Sequence, residues 1–302
     1  MPSSTTGYPT HLQQMVDRYL AEINFTAGDR WHPDAPAGVD GLVEAMRYSL
    51  LAGGKRVRPV LCLATAEALD LDPTTLLPAA AALELIHTYS LIHDDLPAMD
   101  DDDLRRGRPT CHKAFGEDTA ILAGDALFAE AIRLVCDLQP GSAQVRMAIV
   151  SELARASGVT GMVGGQFLDL RDHGSTSPGA LEQVHLLKTG RLIAASIRCA
   201  VIAAAPNTPV EAALDTFGRE IGLLFQIVDD ILDVSGDEDT LGKPTGSDER
   251  QGKVTYVSVF GLEQAGRLAT ECHARALELL AAVPGPTGDL AAVTELIYAR
   301  RS

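Results

Sequence analysis

Apolar residues recur with the spacing of an α-helix through most of this 302-residue chain. They fall at i, i+3, i+4 and i+7, and no stretch shows the sustained alternation of a strand with one buried face. Proline and glycine gather between these segments, and no Gly/Ser-rich linker separates them. We therefore predict one all-α domain over residues 1–302, a bundle of about ten helices, several of them apolar on most faces and therefore central. Roughly the first ten residues are expected to be flexible. The clearest helical segments are 11–23, 41–53, 76–96, 180–205, 211–234 and 263–283.

Charge and cysteine content narrow the class of protein. The formal net charge of −16 argues against nucleic acid or an anionic membrane surface as a partner. The five cysteines form no C-x-x-C pair, which is typical of reduced thiols in a cytosolic protein. No basic residue precedes Arg18 and no apolar run follows the N-terminus, so a signal peptide is not expected. The most apolar window, 192–205, is too short to span a membrane and contains Arg198. A soluble, cytoplasmic protein is expected.

The first of two aspartate clusters is DDLPAMDDDD (94–103), with six aspartates in ten positions. Like charges at contact distance repel by roughly 4 kcal/mol at an effective dielectric near 20, so open water or a bound cation must offset them. An acidic run is often only a solvated loop. Pro97 ends the helix after Asp94 and Asp95. Asp100 can converge with Asp94 only if a short bulge returns it.

The second cluster lies in FQIVDDILD (225–233). Asp229 and Asp233 lie about 40° apart on one helical face, with Asp230 beside them. The neighbouring residues are apolar, so the helix should be largely buried, where carboxylates need partners or a metal ion. Oxygen-only clusters suit hard cations, and Mg²⁺ typically takes one or two carboxylates together with phosphate oxygens. The two clusters therefore predict metal ions that bridge the protein to a polyphosphate.

Basic residues form five short groups that could bind that phosphate. Arginine binds phosphate through its planar fork, and lysine binds it through a point charge. Each group alone could lie on the surface, but five groups in one acidic chain predict a polyphosphate site. The groups are Lys55, Arg56 and Arg58 in AGGKRVRP (52–59); Arg105, Arg106 and Arg108 in RRGRP; Lys188 and Arg191 in LLKTGR; Lys243; and Lys253.

Three other polar residues leave two interpretations open. His87 precedes Asp94 by seven residues, or two helical turns, and so lies on the same face. It is either a site residue or a core histidine. Gln166 and Asp169, in GGQFLDL, either touch the site or serve as a cap or a link between helices.

Together these motifs closely resemble the trans-isoprenyl diphosphate synthases. The resemblance covers about residues 52–256 and rests on GGKRVRP, DDLPAMD with DLRRG, GMVGGQFLDL, LLKTG, FQIVDDILD and two GK pairs before TY. It implies an all-helical isoprenoid-synthase bundle around a deep central cavity, usually a homodimer. It also implies condensation of isopentenyl diphosphate with allylic diphosphates, with three Mg²⁺ ions per site in that family and Mn²⁺ as an alternative.

The resemblance also assigns site residues. The implied metal ligands are Asp94, Asp100 and Asp229, with Asp95, Asp230 and Asp233 in the same clusters. Isopentenyl diphosphate would be held by Lys55, Arg58, His87 and Arg106. The allylic diphosphate would be held by Arg105, Lys188 and Lys253, while Thr189 and Gln226 would lie near the developing cation. Lys243 is a further expected substrate-binding residue.

Product length is expected to depend on Tyr89 and the adjacent Ser90. Tyr89 lies five residues before Asp94, about 7.5 Å nearer the helix N-terminus. Its side chain points about 140° away from that of Asp94, so an ordinary core position stays open. In the family, an aromatic residue here with the longer first motif goes with a farnesyl product. Farnesyl diphosphate is therefore expected, with geranylgeranyl diphosphate as the alternative.

Three alternatives from other classes stay open. A class I terpene cyclase would keep the first motif but normally carries a different second one, and a non-catalytic subunit usually loses an aspartate motif. A di-iron carboxylate bundle would use the two E-x-x-H motifs, Glu84 with His87 and Glu182 with His185. Metal-dependent incorporation of isopentenyl diphosphate would separate a prenyltransferase from all three.

Overall fold

The computed structural model describes residues 7–26, 37–171, 178–205, 207–235 and 254–300. The predicted all-α fold is confirmed, since most of the described residues lie in helices. The helices are α1 Thr10–Glu22, α2 Asp40–Leu50, α3 Val57–Ala68, α4 Leu77–Asp94, α5 Cys111–Phe115, α6 Glu117–Leu138, α7 Ala143–Ser157, α8 Met162–Arg171, α9 Pro178–His185, α10 Arg191–Ala204, α11 Thr208–Ser235, α12 Tyr256–Phe260, α13 Leu262–Leu280 and α14 Gly288–Ala299. A 3₁₀ turn, Pro73–Leu76, precedes α4, and a π-helical turn, Leu186–Gly190, joins α9 to α10.

The N-terminal expectation is only partly covered by the described residues. Residues 1–6 lie outside them, and helix α1 begins at Thr10. The hydroxyl of Tyr8 donates a hydrogen bond to the carbonyl of Lys55, so the chain just before α1 is attached to the segment that precedes α3.

Helix α4 lies at the centre of the bundle. It packs most extensively against α6 and also contacts α3. Four consecutive alanines, 79–82, are buried, and their small side chains let the neighbouring helices approach closely. Leu83, Leu85 and Ile86 are fully buried, and burying each contributes about 1.5–3 kcal/mol relative to exposure. The helix Pro73–Asp94 is long and apolar enough to cross a membrane, but 67% of that window is buried inside the protein, as in a core helix.

The segment predicted as one helix over residues 180–205 is interrupted. It consists of α9, the π turn Leu186–Gly190 and α10. A π turn contains one residue more than an α-turn and often lies at a functional site. Two glycines make room for it: a Cβ at Gly222 would fall 2.8 Å from the Cα of Gly190, and one at Gly165 would collide with the backbone of Lys188. Helices α8 and α11 therefore lie directly against this turn.

A short hairpin follows the first aspartate cluster. Strands β1 (Leu104–Arg105) and β2 (Arg108–Pro109) pair in an antiparallel fashion. The two residues between them, Arg106 and Gly107, have φ of 55° and 72°. Two positive φ values are typical of a type I′ turn. The hairpin directs the adjacent side chains Arg105 and Arg106 to different partners.

Candidate active site

A cavity of about 540 Å³ lies between α4, α8, the π turn and α11. Carboxylates and an ammonium group lie on its wall, in Asp94, Asp229 and Lys188. Asp229 is half exposed, which places this polar part at the open end. Apolar side chains such as Met162 and Phe225 form other parts of the wall. We call this space the central cavity.

Asp94 and Asp100 are brought together by a bulge after α4. The helix ends at Asp94, and the backbone N–H of Asp100 donates to the carbonyl of Asp94 at 2.9 Å. Burial raises the pKa of the Asp94 carboxyl to about 6, opposed by Lys188 and reinforced by the negative charge of Asp100. The bulge therefore returns the backbone of Asp100 to that of Asp94. A bound cation would lower the electrostatic cost of placing these two carboxylates together.

Asp95 and Arg105 bind each other in the structure, and their expected roles toward metal and diphosphate stay predictions. The Asp95 carboxylate is 2% exposed and accepts from Nε and Nη2 of Arg105 at 2.6–2.9 Å. Asp95 was expected to bind metal and Arg105 to bind the allylic diphosphate. Neither lines the central cavity, because Asp95 follows Asp94 at the helix end and points to another side. The pair fixes the hairpin to the end of α4.

The second cluster divides in a similar way. Asp229 lines the central cavity, whereas Asp230 is buried and accepts from the backbone N–H of Tyr256 at 2.7 Å and from Nε2 of Gln226 at 2.8 Å. Consecutive helical residues point about 100° apart, so one face cannot present both aspartates. In the structure Asp230 and Gln226 thus bind each other and do not line the central cavity, and their roles toward metal and cation stay predictions. Asp233 is half-buried and is not part of the cavity wall.

The π turn presents Lys188 and Thr189 to the central cavity. The Nζ of Lys188 donates to Asp169 at 2.6 Å. Burial lowers the pKa of Lys188, but Asp169 and Asp94 more than offset this, and the net shift is upward. Lys188 is therefore a fixed positive charge. Asp169 holds this lysine in place, and whether it also touches a bound ligand stays a prediction.

Gln166 lines the same cavity, one helical turn before Leu170. Within the part of the chain that the structure describes, neither its amide nitrogen nor its amide oxygen has a hydrogen-bond partner, although both are buried. A buried amide without a partner costs about 1–3 kcal/mol. The side chain is thus available to a polar ligand in the cavity.

A second cavity, of about 440 Å³, adjoins the first and is rich in cations. We call it the basic cavity. It contains the four residues that the sequence assigned to isopentenyl diphosphate, and three residues belong to both cavities: Arg58, His87 and Phe225. Burial, together with Arg58 and Arg106, lowers the pKa of His87 well below its usual value, so that its ring is neutral. Burial also lowers the pKa of Arg58 to about 10. The residues of the basic cavity assigned from sequence are Lys55, Arg58, His87 and Arg106.

Gly54 shows how closely Arg106 approaches the GGK segment. Its φ is 118°, and a Cβ there would fall 2.6–2.8 Å from the guanidinium atoms of Arg106. Glycine adopts this φ without strain, and a side chain here would displace the Arg106 guanidinium. The hairpin and the segment before α3 are therefore packed into one wall of the basic cavity.

Two residues of the basic cavity were missed as site residues. Glu84 accepts a hydrogen bond from Nη1 of Arg56 at 2.7 Å, and both side chains are buried. Its negative charge therefore stabilises the cations of the basic cavity. Arg300 extends its guanidinium over the ring of Phe225 and lies 3.6 Å from Asp229. The E-x-x-H motif did include Glu84, but as a possible ligand of a di-iron centre. No local motif surrounds Arg300.

The E-x-x-H motifs do not support a di-iron centre among the described residues. Glu84 binds Arg56, and His87 lies among arginines. The ring of His185 packs against Tyr256 at a centroid distance of 5.4 Å. The only candidate cluster of histidine and carboxylates in the described ranges lies elsewhere, at the surface, and joins His11, Glu67 and Asp289.

Tyr89 and Ser90 both line the central cavity. The Tyr89 ring is buried and packs edge-to-face on Phe128 at 5.5 Å and on His93 at 5.8 Å. Burial raises the pKa of Tyr89 to about 12, so the hydroxyl is neutral. Both positions therefore face the space that an apolar tail would occupy. The remaining predicted residues, Lys243 and Lys253, lie outside the described residues.

A helical bundle that gathers carboxylates, a fixed lysine and an arginine cluster around an apolar cavity defines an enzyme acting on diphosphates of apolar chains. The sequence model of the polyprenyl synthetase family matches residues 39–284. This chain belongs to that family and is a prenyltransferase.

Characterised relatives carry names with different product lengths. The farnesyl diphosphate synthase of Escherichia coli (strain K12) is 48% identical over 269 residues, which cover 86% of this chain and 89% of that protein. A chloroplastic geranylgeranyl pyrophosphate synthase of Catharanthus roseus is 46% identical over 241 residues, which cover 79% of this chain and 68% of that protein. The structure of an FPP/GFPP synthase from Zymomonas mobilis matches with a TM-score of 0.82 at 36% identity and covers 96% of both chains. Identity alone does not separate the product lengths.

Proposed function

We propose that this prenyltransferase is a Mg²⁺-dependent farnesyl diphosphate synthase that joins isopentenyl diphosphate to dimethylallyl diphosphate and then to geranyl diphosphate. One observation carries the proposal: the central cavity and the basic cavity adjoin and share Arg58, His87 and Phe225. The first offers carboxylates above apolar walls, and the second offers four or more cations. Two diphosphates can thus lie side by side with their reacting carbons at the shared wall.

Mg²⁺ fits the carboxylates at the open end of the central cavity. Asp94, Asp100 and Asp229 would hold the ions, because hard cations prefer oxygen ligands and share them with phosphate. Burial first, and then the negative charge of Asp100, raise the pKa of Asp94, and a bound cation would offset both effects. When bound, the ions neutralise the allylic diphosphate as a leaving group. Three ions per site, and Mn²⁺ as a substitute, are predictions from the family resemblance.

The protein's own groups would stabilise the charge that develops during ionisation. Lys188, fixed by Asp169, and the neighbouring Thr189 would bind the allylic diphosphate and its departing oxygen. The allylic C–O bond breaks and its electron pair leaves with the diphosphate. The isopentenyl double bond then supplies the electron pair of the new C–C bond, and the proton that is lost passes to the released diphosphate. Catalysis of this kind is electrostatic and needs no side-chain nucleophile.

The basic cavity would bind isopentenyl diphosphate. Lys55, Arg58 and Arg106 supply charge-assisted hydrogen bonds, which are roughly twice as strong as neutral ones. The neutral ring of His87 can donate to the same diphosphate without adding repulsion among the arginines. The substrate would place its double bond toward the central cavity.

Tyr89 supports farnesyl as the final product. Its ring, backed by Phe128, closes part of the apolar wall that a growing tail would follow from Asp94. A steric block of this kind limits which chain fits. Geranylgeranyl diphosphate is the second candidate product, since a relative named for it shares 46% identity.

We also propose a cytoplasmic homodimer with no nucleic-acid or membrane partner. The net charge of −16 disfavours anionic polymers and anionic lipid surfaces. The apolar stretch of helix α4 is mostly buried within the fold. Light scattering after gel filtration would measure the assembly, and a monomer at micromolar concentration would contradict the dimer.

The decisive experiment is a product assay. The protein is incubated with isopentenyl diphosphate, Mg²⁺ and one of dimethylallyl, geranyl or farnesyl diphosphate, and products are resolved by chain length. We expect farnesyl diphosphate from the first two primers, little reaction with the third, and none with EDTA. Cyclised products without consumption of isopentenyl diphosphate would indicate a terpene cyclase. Complete inactivity would indicate a non-catalytic subunit.

A further inference from the structure

The ring of His93 lies in a notch on helix α6 that exists because residue 124 is glycine. A Cβ at position 124 would fall closer than 3.0 Å to Nε2, Cδ2 and Cε1 of His93, a distance that real Cβ atoms essentially never show. Gly124 is buried in the middle of α6 and has no positive φ that would demand glycine for the backbone. The missing side chain at position 124 therefore leaves the space that the His93 ring occupies.

Two further contacts hold that ring. The Nε2 of His93 donates to the carbonyl of Ile121, at 3.1 Å, so this nitrogen carries the proton. The Tyr89 ring meets the His93 ring edge-to-face, with 5.8 Å between centroids. His93 follows Tyr89 by four residues and so lies on the same face of α4, one turn nearer to Asp94.

His93 is also a wall residue of the central cavity, like Tyr89. One edge of its ring faces Gly124, and the ring thus separates the α6 backbone from the cavity. If the notch were filled, the ring would have to withdraw until its nearest atom reached ordinary contact, 3.4–4 Å. Because the ring lines the central cavity, a ring that withdraws from α6 can move into that space.

We propose that Gly124 is a specificity-determining residue: by seating the His93 ring in α6, it sets the width of the cavity above Tyr89 and hence the prenyl chain that can be elongated. This inference rests on the proposed function. His93 and Tyr89 form one continuous wall, in which Tyr89 limits length and the notch sets width. Gly124 acts through His93 and is a positioning residue, not a catalytic one.

The test uses three variants of the full chain and one matched control. Gly124→Ala should move the ring into the cavity and lower kcat/KM for geranyl diphosphate by roughly tenfold relative to dimethylallyl diphosphate, as expected for a methylene-sized misfit. Its products should therefore shift from farnesyl toward geranyl diphosphate. His93→Ala should shift them toward longer chains. Gly266→Ala, a helical glycine of α13 whose Cβ would meet nothing within 4 Å, should match the wild type.

The double variant His93→Ala/Gly124→Ala separates this proposal from a general packing defect. Without the imidazole the clash disappears, so the double variant should regain geranyl diphosphate turnover and show the product profile of His93→Ala. If Gly124→Ala fails to fold, the double variant should fold. A double variant as defective as Gly124→Ala, or a single variant with the wild-type product ratio, would overturn the proposal.

The Mg²⁺ concentration for half-maximal activity provides a further readout. It should be unchanged in Gly124→Ala, because the ring and not Asp94 is displaced. A changed Mg²⁺ requirement with an unchanged chain-length profile would assign the glycine to metal geometry and overturn the inference. Wild-type inactivity with every allylic primer would instead refute the proposed function, before any variant is compared.

Discussion

The carboxylate of Glu84 accepts a hydrogen bond from Arg56 at 2.7 Å in the interior, where the side chains are 3% and 2% exposed. Arg56 is held on two further sides, by Asp17 at 2.9 Å and by the carbonyl of Leu50 at 2.8 Å. The negative charge of Glu84 also raises the pKa values of Arg58 and Arg106 against the effect of burial. One carboxylate thus stabilises three guanidinium groups beside the basic cavity.

Glu84→Gln should therefore weaken both stability and isopentenyl diphosphate binding. Removing one partner of a buried ion pair typically costs about 3–5 kcal/mol of unfolding free energy. The KM for isopentenyl diphosphate should rise more than that for the allylic substrate, and Glu84→Asp should recover part of both losses. Urea unfolding and steady-state kinetics measure the two effects. The exposed pair of Glu263 and Arg267 is the control, since Glu263→Gln should change stability by less than about 1 kcal/mol.

The aspartates of the DDILD cluster should separate by function. Asp229→Asn should lower kcat by about 10²–10³, the usual effect of removing one group from a charge-stabilising site, with the unfolding curve unchanged. Asp230→Asn should mainly lower stability, because its buried carboxylate accepts from Tyr256 and Gln226. Kinetics and thermal unfolding on both variants check this. Equal kinetic damage without a stability difference would show that the two side chains have one role.

The adjacent arginines of the hairpin should also differ. Arg106→Ala should raise the KM for isopentenyl diphosphate by roughly tenfold or more, since a hydrogen bond to a charged group contributes about 1.5–3 kcal/mol. Arg105→Ala should act through Asp95, which it would leave buried without its guanidinium partner, and should lower the melting temperature more than Arg106→Ala. If the two variants had the same KM values and melting temperatures, the two arginines would not have separate roles.

Tyr89→Ala should lengthen the product. Removing the ring opens the wall in front of Phe128, so elongation should continue past farnesyl to geranylgeranyl diphosphate or beyond. Chromatography of the products measures the ratio. Tyr298→Ala is a matched truncation at a ring that stacks on His273 and is not part of the cavity wall, and it should keep the wild-type profile. An unchanged ratio in Tyr89→Ala would place the floor of the pocket elsewhere.

His185 should make stability fall in mild acid. Burial lowers its pKa to about 4, whereas an unfolded histidine has a pKa near 6.5. Between these values the unfolded state binds a proton that the folded state does not, so unfolding free energy falls with decreasing pH by up to about 1.4 kcal/mol per unit. His185→Gln should reduce the slope between pH 6.5 and 4 by the contribution of one proton and leave the part due to His87, whose pKa burial also lowers. Urea titrations across that window measure it, and His11→Gln, at a 58% exposed ring, should keep the slope.

Sequence reasoning predicted the fold because helical periodicity is a local signal. Pro97 predicted the end of the helix near Asp95, but the bulge that returns the backbone of Asp100 to Asp94 was only a condition for their convergence. The hydrogen bond from the N–H of Tyr256 to Asp230 could not be predicted, because the two residues are 26 positions apart and no local signal links them. The pairing of Asp95 with Arg105 depends on a turn with two positive φ values, which a helical wheel does not represent.

Small residues at helix contacts were the other limit. A glycine in a helical pattern signals weaker helix propensity but not what lies against it. The contacts of Gly124 with His93 and of Gly222 with Gly190 become visible only when two helices are placed together. Arg300 was missed for the same reason, since its position beside Asp229 comes from the packing of α14 against α11.

The π turn at Leu186–Gly190 makes the register of this region intolerant of single-residue length changes. Deleting one residue would convert the wide turn into an ordinary α-turn and change the directions of the side chains within it. Lys188 would leave Asp169, and the backbone carbonyls that a π turn leaves irregular would re-pair along the helix axis. A deletion scan through this stretch should thus yield well-folded, inactive proteins. Insertions and deletions are usually best tolerated at loop tips. Here a deletion inside a helix would leave the protein folded but remove its activity.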